Sequence, residues 1–286
     1  MKKVSVILFT ALLLLASGCS NSDNLKPITE PTNMEILGSI TTDTNWDFAH
    51  SPYIVTGDFI VERNVTLTIE PRVEVRFDGS YTLIVKGTLI ADGKSMEQLI
   101  TFTSNSILPE MKDWKGIRID NTNDSKTILR YVKIKYAEVA LDVFSSLPQV
   151  TDCIIQENDT GLHGFDMHST VSYNLVTDNV YGMIFEFKEF GEVTNNIITH
   201  NEVGIKTRNS LKVRLNNIFD NSGYNLEFKY FSQNRPQNVD ARHNWWGTTD
   251  VKQLEGRIYD KQDDSKLGEV LYLPYEISMI KDAGPR

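Results

Sequence analysis

The sequence predicts an all-β protein built as a parallel β-helix. Two observations carry that prediction. Five segments superimpose along Leu129, Val150, Val171, Val193 and Val213, a period near 21 residues. Within each segment, short apolar runs alternate with single corner positions, and no helical periodicity is sustained. A helical repeat would need apolar residues at i, i+3, i+4 and i+7, and a leucine-rich repeat would show an L-x-x-L-x-L ladder; neither pattern is present. About three short strands per coil remain, each coil stacked about 4.8 Å from the next.

The columns define the coils. Three are apolar and mark strands. They are the Leu129 column, the column Ile134, Ile155, Val176, Ile198 and Ile218, and the column Leu141, Leu162, Met183, Ile205 and Leu226. Between them run two corner columns: Val132, Cys153, Asn174, Asn196, Asn216, and Ala137, Asn158, Asn179, Asn201, Asn221. Asparagine is a poor strand former. It tolerates a left-handed corner, and its amide can donate to the same group one coil along while accepting from the coil before. A third corner column reads Ala140, Gly161, Gly182 and Gly204, where glycine is expected to supply positive φ. Cys153 occupies an asparagine column and reads as a small buried corner residue rather than a nucleophile.

The N-terminal half follows the same logic with longer, looser coils. Val65–Phe77, Tyr81–Asp92, Gln98–Ser104 and Trp114–Asp120 are β-rich and punctuated by turns. The run from Ser51 to Phe77, then WKGIRI, then the Asn/Gly corners, then NWWG at Asn244–Gly247, resembles the bacterial right-handed parallel β-helix proteins of the pectin-lyase-like superfamily. The resemblance covers roughly residues 51–275 and implies a right-handed coil. Asn64 and Arg72 stand where relatives often carry glycine, at turn positions. After NWWG, Val251, Leu254 and Ile258 fall on one helical face with Thr249 or Asp250 as N-cap. A short helix is expected there, covering the last coil with Trp245 and Trp246, and then a final extended segment GEVLYLPYE. Such a cap protects the open edge of the stack.

The N-terminus is organised differently. Lys2 and Lys3 precede an apolar run, Val4–Leu15, too short for an ordinary membrane span. LLASGCS then resembles a bacterial lipobox, with Ala16 where leucine is commonest. Residues 1–19 are thus expected to be a lipoprotein signal ending at a lipidated Cys19; an ordinary signal peptide is the alternative. Ser20 after the cysteine implies, by resemblance to a sorting rule, the outer membrane of a cell envelope. Residues 20–34 read as a flexible tether, and 35–286 as the β-helix domain, with its cap at about 244–286. The formal charge of −9 becomes −11 once Lys2 and Lys3 are removed. That argues against nucleic acid or anionic headgroups as partners, leaving membrane contact to the lipid anchor. With Cys153 the one cysteine besides Cys19, no internal disulfide is expected.

Candidate site residues come from outward columns following the third apolar column: Asp142, His163, Ile184, Lys206, Glu227, and two positions on, Phe144, Phe165, Glu186, Arg208, Lys229. Most enzymes of the resembled superfamily act on acidic polysaccharides. Asp142 beside His163 could be an acid–base pair. GLHG and GIKTR resemble polygalacturonase motifs faintly, without the grouped aspartates those enzymes need; Asp142 and Asp166 are the carboxylates at hand. A lyase would need Ca²⁺ held by carboxylates, with Glu186, Glu227, Lys206 and Arg208 as candidates. One glutamate per coil reads more simply as a salt-bridge ladder. The aromatics Phe144, Phe165, Tyr181, Phe187, Phe190 and Tyr230 could stack on sugar rings. The leading expectation is a non-enzymatic face that binds glycan or another envelope component, formed by Phe165, Glu186, Lys206, Arg208, Glu227 and Lys229, with no cofactor. A lyase or hydrolase, with Asp142, His163, Lys206 and Arg208 as catalytic candidates, and a protein-interaction scaffold or adhesin remain open. Asp260, Asp263 and Asp264 lack calcium-loop spacing and are expected in a solvated acidic loop. The histidines show no zinc-ligand spacing, and His243 is expected to pack at the cap.

Overall fold

The computed structural model describes residues 34–120, 126–186, 191–229 and 238–286. The signal, Cys19 and the tether lie outside the described residues, as do Phe187, Phe190 and Tyr230. The described chain is a right-handed parallel β-helix with three faces. The first face is a ten-stranded parallel sheet running from Thr44–Trp46 to Val270–Leu271. The second and third faces form two ladders of one larger sheet, because Tyr53–Val61 passes through both. The fold begins before the run that carries the resemblance: Met34–Ile40 pairs in parallel with Tyr53–Val61.

The three apolar columns pair in register as read. Ile134 pairs with Ile155, Ile155 with Val176, Val176 with Ile198, and Ile198 with Ile218. Strand residues alternate inward and outward, and the inward set forms one continuous core from Trp46 to Val270. In the N-terminal coils large aromatics fill it: Trp46 stacks on Tyr53 at 4.6 Å, and Phe77 on Trp114 at 3.9 Å.

The corners correct two expectations. The left-handed residue is not the asparagine but the one before it. Asp152, Tyr173, Asn195 and Leu215 precede the first column, and Glu157, Asp178, His200 and Asp220 precede the second, all with φ between 52° and 59°. That turn aims the following side chain inward, so the asparagines are buried and stacked. Each Oδ1 accepts from the backbone N–H of the preceding coil: Asn158 to Asn179, Asn179 to Asn201, and Asn201 to Asn221. The Nδ2–Oδ1 bonds between them are all 3.0 Å. The other column runs Asn174, Asn196, Asn216 and ends on Asn244 of NWWG. The second correction concerns Gly161, Gly182 and Gly204, whose φ is not positive. They are small because coils approach closely: a Cβ on Gly182 would sit 2.5 Å from the carbonyl oxygen of Gly204. Asn64 and Arg72 do carry positive φ, 63° and 71°.

Cys153 imitates the asparagines around it. Its thiol donates to the carbonyls of Leu129 and Thr151, as Asn174 Nδ2 donates to those of Val150 and Ser172. Burial pushes the thiol up to about 12, which keeps it protonated and inert.

The cap helix is short, Val251–Glu255, and Asp250 caps it by accepting from the N–H groups of Lys252 and Gln253. Leu254 is buried, but Val251 is exposed and Ile258 lies in a strand, pairing with Leu226. The one-faced helical reading fails because Gly256 ends the helix and the sheet edge recruits Ile258. Val270–Leu271 supplies the expected extended segment by pairing with Val239–Asp240. Asp260 is buried, not solvated: its carboxylate accepts from the N–H groups of Gln262 and Val270 and pins the turn. His243 is exposed rather than packed, with Glu276 3.4 Å away. The last residues run back over earlier coils. Ile280 bonds Asn217, Gly284 donates to the carbonyl of Asn195, and Arg286 grips the buried carboxylate of Asp152 at 3.0 and 3.1 Å while lying over Tyr173.

Candidate functional site

Parallel register converts sequence periodicity into rows on the third face. One outward row reads Arg118, Asp142, His163, Ile184, Lys206, Glu227 and Tyr259. The neighbouring row reads Asp120, Phe144, Phe165 and Glu186. Arg208 and Lys229 stand just past the ends of strands Val203–Thr207 and Tyr224–Phe228. The structure therefore brings together every residue of the predicted face. It also adds three that sequence reading missed: Arg118, Asp120 and Tyr259. The signal for the first two was present in WKGIRID, whose alternation points both outward; an unequal coil length hid their alignment with Asp142 and Phe144.

Charge alternates along these rows and neutralises itself. Arg118 lies 3.8 Å from both Asp120 and Asp142. Asp142 accepts from or shares a proton with His163 Nδ1 at 2.8 Å, and His163 Nε2 faces Glu186 at 3.7 Å. Glu186 in turn meets Arg208 at 3.1 Å. Ile184 breaks the row, and a second cluster follows, in which Glu227 is buried between Lys206 at 3.3 Å and Lys229 at 2.6 Å. The bond to Glu227 raises the Lys229 pKa. For His163, burial works against the charged form, but the hydrogen bond to Asp142 and the charges of Asp142 and Glu186 outweigh it and raise its pKa. Two carboxylates thus flank the His163 ring and favour its protonated form.

Aromatic rings accompany the charges. Phe144 and Phe165 stack nearly parallel, with centroids 4.7 Å apart and an interplanar angle of 4°. That distance equals the spacing of adjacent coils, so the pair is a direct product of register. Arg118 lies over Phe144, Lys206 over Tyr181 and Lys229 over Tyr259. Both rings of the phenylalanine pair are partly exposed. The carboxylate candidate Asp166 is drawn away at a left-handed turn, with His168 3.5 Å from it.

Residues 59–256 match the family described as "Periplasmic copper-binding protein (NosD)", and the chain belongs to that family. A cell-envelope location agrees with the description. The chain is also 30% identical over 138 residues to "Protein bark beetle" of Drosophila melanogaster; the match covers 38% of this chain and 4% of that relative. No solved structure matches the chain.

Copper does not fit the donors in place. Among the described residues, no group of three or more His, Cys, Asp or Glu side chains is arranged to hold a metal ion. Copper(I) favours thiolates and thioethers, and copper(II) favours imidazoles in a tetragonal set. Cys153, Met167 and Met183 are sealed in the core, whereas Met111 and Met279 are exposed. The five histidines are dispersed: His50 meets Asp47, His163 has carboxylates at both nitrogens, His168 meets Asp166, His200 meets Thr199, and His243 meets Glu276.

Proposed function

We propose that the chain is a cell-envelope protein, lipid-anchored through Cys19 at the outer membrane, that binds a glycan on the third face of its β-helix without cleaving it. The observation that carries this reading is the stacked Phe144–Phe165 pair set between rows of paired charges. Aromatic faces accept the apolar faces of sugar rings, and ion-paired side chains held by a sheet offer fixed donors and acceptors to hydroxyls. The face is rigid because each strand on it is hydrogen-bonded to the coils above and below.

One observation favours catalysis as a second reading. Asp142 and His163 are hydrogen-bonded, and His163 holds its proton above the usual range, as a general acid would. Against it, His163 is clamped between Asp142 and Glu186. The test is affinity electrophoresis of the purified protein in gels containing acidic and neutral polysaccharides, with and without Ca²⁺. Released reducing ends and unsaturated products are followed in parallel. Retention without products, lost in Phe165→Ala, is the expected result. New chain ends that disappear in His163→Ala would replace binding with catalysis. Neither retention nor products would leave a protein-interaction scaffold as the better account.

A further inference from the structure

A cleft of about 460 Å³ lies at the C-terminal end of the solenoid, and none of the third-face row residues lines it. It is lined by Asp220, Trp246, Thr248, Lys252, Gln253 and Arg257, among others. NWWG builds one side of it. Asn244 closes the asparagine ladder, Trp246 is buried, and Gly247 turns the chain with φ of 83° at a point where a Cβ would meet Phe219 at 2.7 Å.

Arg257 is held in an unusual way. Its Nη1 donates to three backbone carbonyls, those of Asn221 at 3.4 Å and of Ser222 and Gly223 at 2.8 Å. The guanidinium is therefore fixed by one corner, and no carboxylate among the described residues pairs with its Nε–Nη2 edge. Elsewhere in this molecule that edge grips an aspartate. Arg130 holds Asp92, Arg242 holds Asp240 and Arg286 holds Asp152, each through Nε and Nη2. A planar guanidinium presented edge-on matches a carboxylate bidentately. Lys252 adds a second cation that pairs with no carboxylate among the described residues. Trp246 lines the cleft, and its indole N–H is buried without a hydrogen-bond partner. In a protein of net charge −9, this cleft sets two cations against the single carboxylate of Asp220, a lining that favours an anion.

We propose that this cleft is a carboxylate-binding site, in which the Nε–Nη2 edge of Arg257 takes the anion bidentately and Lys252 supplies the second charge. The carboxylate could belong to a free organic acid or to the end of a peptide. The test is calorimetric titration of the purified protein with succinate, with tri-alanine, and with tri-alanine amide as the uncharged control. Saturable binding of succinate points to the free acid, and binding of tri-alanine but not of its amide points to a peptide end; either supports the site. Arg257→Lys keeps the charge but loses the fork, and is expected to weaken binding at least about tenfold. Lys252→Ala, on the exposed cap helix, should weaken it severalfold while leaving the melting temperature unchanged. Lys229→Ala on the third face should leave carboxylate binding intact, so this site stands or falls separately from glycan retention. Equal binding of the amide and the acid overturns the proposal. So does no saturable binding of either acid, or unchanged affinity in both cleft variants of a protein that melts normally.

Discussion

The two halves of the solenoid solve one problem in different ways. In the N-terminal half, successive coils along the second face are unequal: Tyr53 pairs with Val75, Val75 with Phe102, and Phe102 with Ile134 across a long excursion. Identical pairs occur there, such as Val61 with Val85 and Leu67 with Leu89, but no column of one residue type runs through these coils, and bulky rings fill the core, Phe77 on Trp114 and Trp46 on Tyr53. From Ile134 onward the coils are nearly equal, identical side chains do align, and two buried asparagine ladders run through the corners. Equal coils also place side chains of the third face in rows. The difference teaches that regular coil length is what makes both the polar ladder inside and the charged rows outside, and the candidate site lies mainly over the regular half.

That contrast can be broken by mutation. The largest effect is expected from Phe77→Ala, which removes a fully buried ring from the irregular half and should cost about 4 kcal/mol in chemical denaturation. Asn196→Ala in the regular half should cost about 3 kcal/mol, because it strands the backbone N–H of Asn174, removes one of three acceptors of Asn174 Nδ2, and takes the amide donor from the carbonyls of Val171 and Thr194. The two should differ in coupling. Adding Asn174→Ala to Asn196→Ala should cost less than Asn174→Ala alone, since the Nδ2–Oδ1 bond the two side chains share is already lost. Additive costs would mean the ladder is a row of independent bonds.

Smaller changes sharpen the same comparison. Cys153→Asn extends the ladder by one rung into a site whose hydrogen-bond geometry already matches, and should stabilise by about 1 kcal/mol. Destabilisation would show that the corner cannot take an amide. The smallest effect concerns pH. A His163 pKa raised above its ordinary 6.5 contributes stability fully present below that value and lost as pH rises through the raised one. Asp142→Asn should lower the His163 pKa, read by NMR titration of the ring, and reduce the fall in stability over that window. An unchanged ring titration would remove Asp142 as its main partner.

Much of this was legible in the sequence, for physical reasons that can be named. The strand columns of the regular half were read in register, because parallel pairing of equal coils repeats the same residue spacing. The corners were located but their chemistry was misassigned. Asparagine is compatible with both a left-handed turn and a buried ladder, and sequence alone does not say which of two adjacent residues turns. Arg118 and Asp120 were missed because the coils on either side of them are long, and Tyr259 because the row continues beyond the repeat. The strap from Ile280 to Arg286 left no periodic trace: Arg286 reaches Asp152 across 134 residues. The pairing of Glu186 with Arg208 and Glu227 with Lys206 followed from the alternation of sign along the columns.

The most direct test of the central claim is hydrogen–deuterium exchange of the protein with and without whichever polysaccharide retains it best. Binding on the third face of the regular half predicts slower exchange in strands Val139–Phe144, Thr160–Phe165 and Tyr181–Glu186, and none in the first-face strands Gln149–Thr151 and Glu192–Thr194 of the same coils. Protection confined to the first face, or to the irregular coils before Asp120, would contradict it.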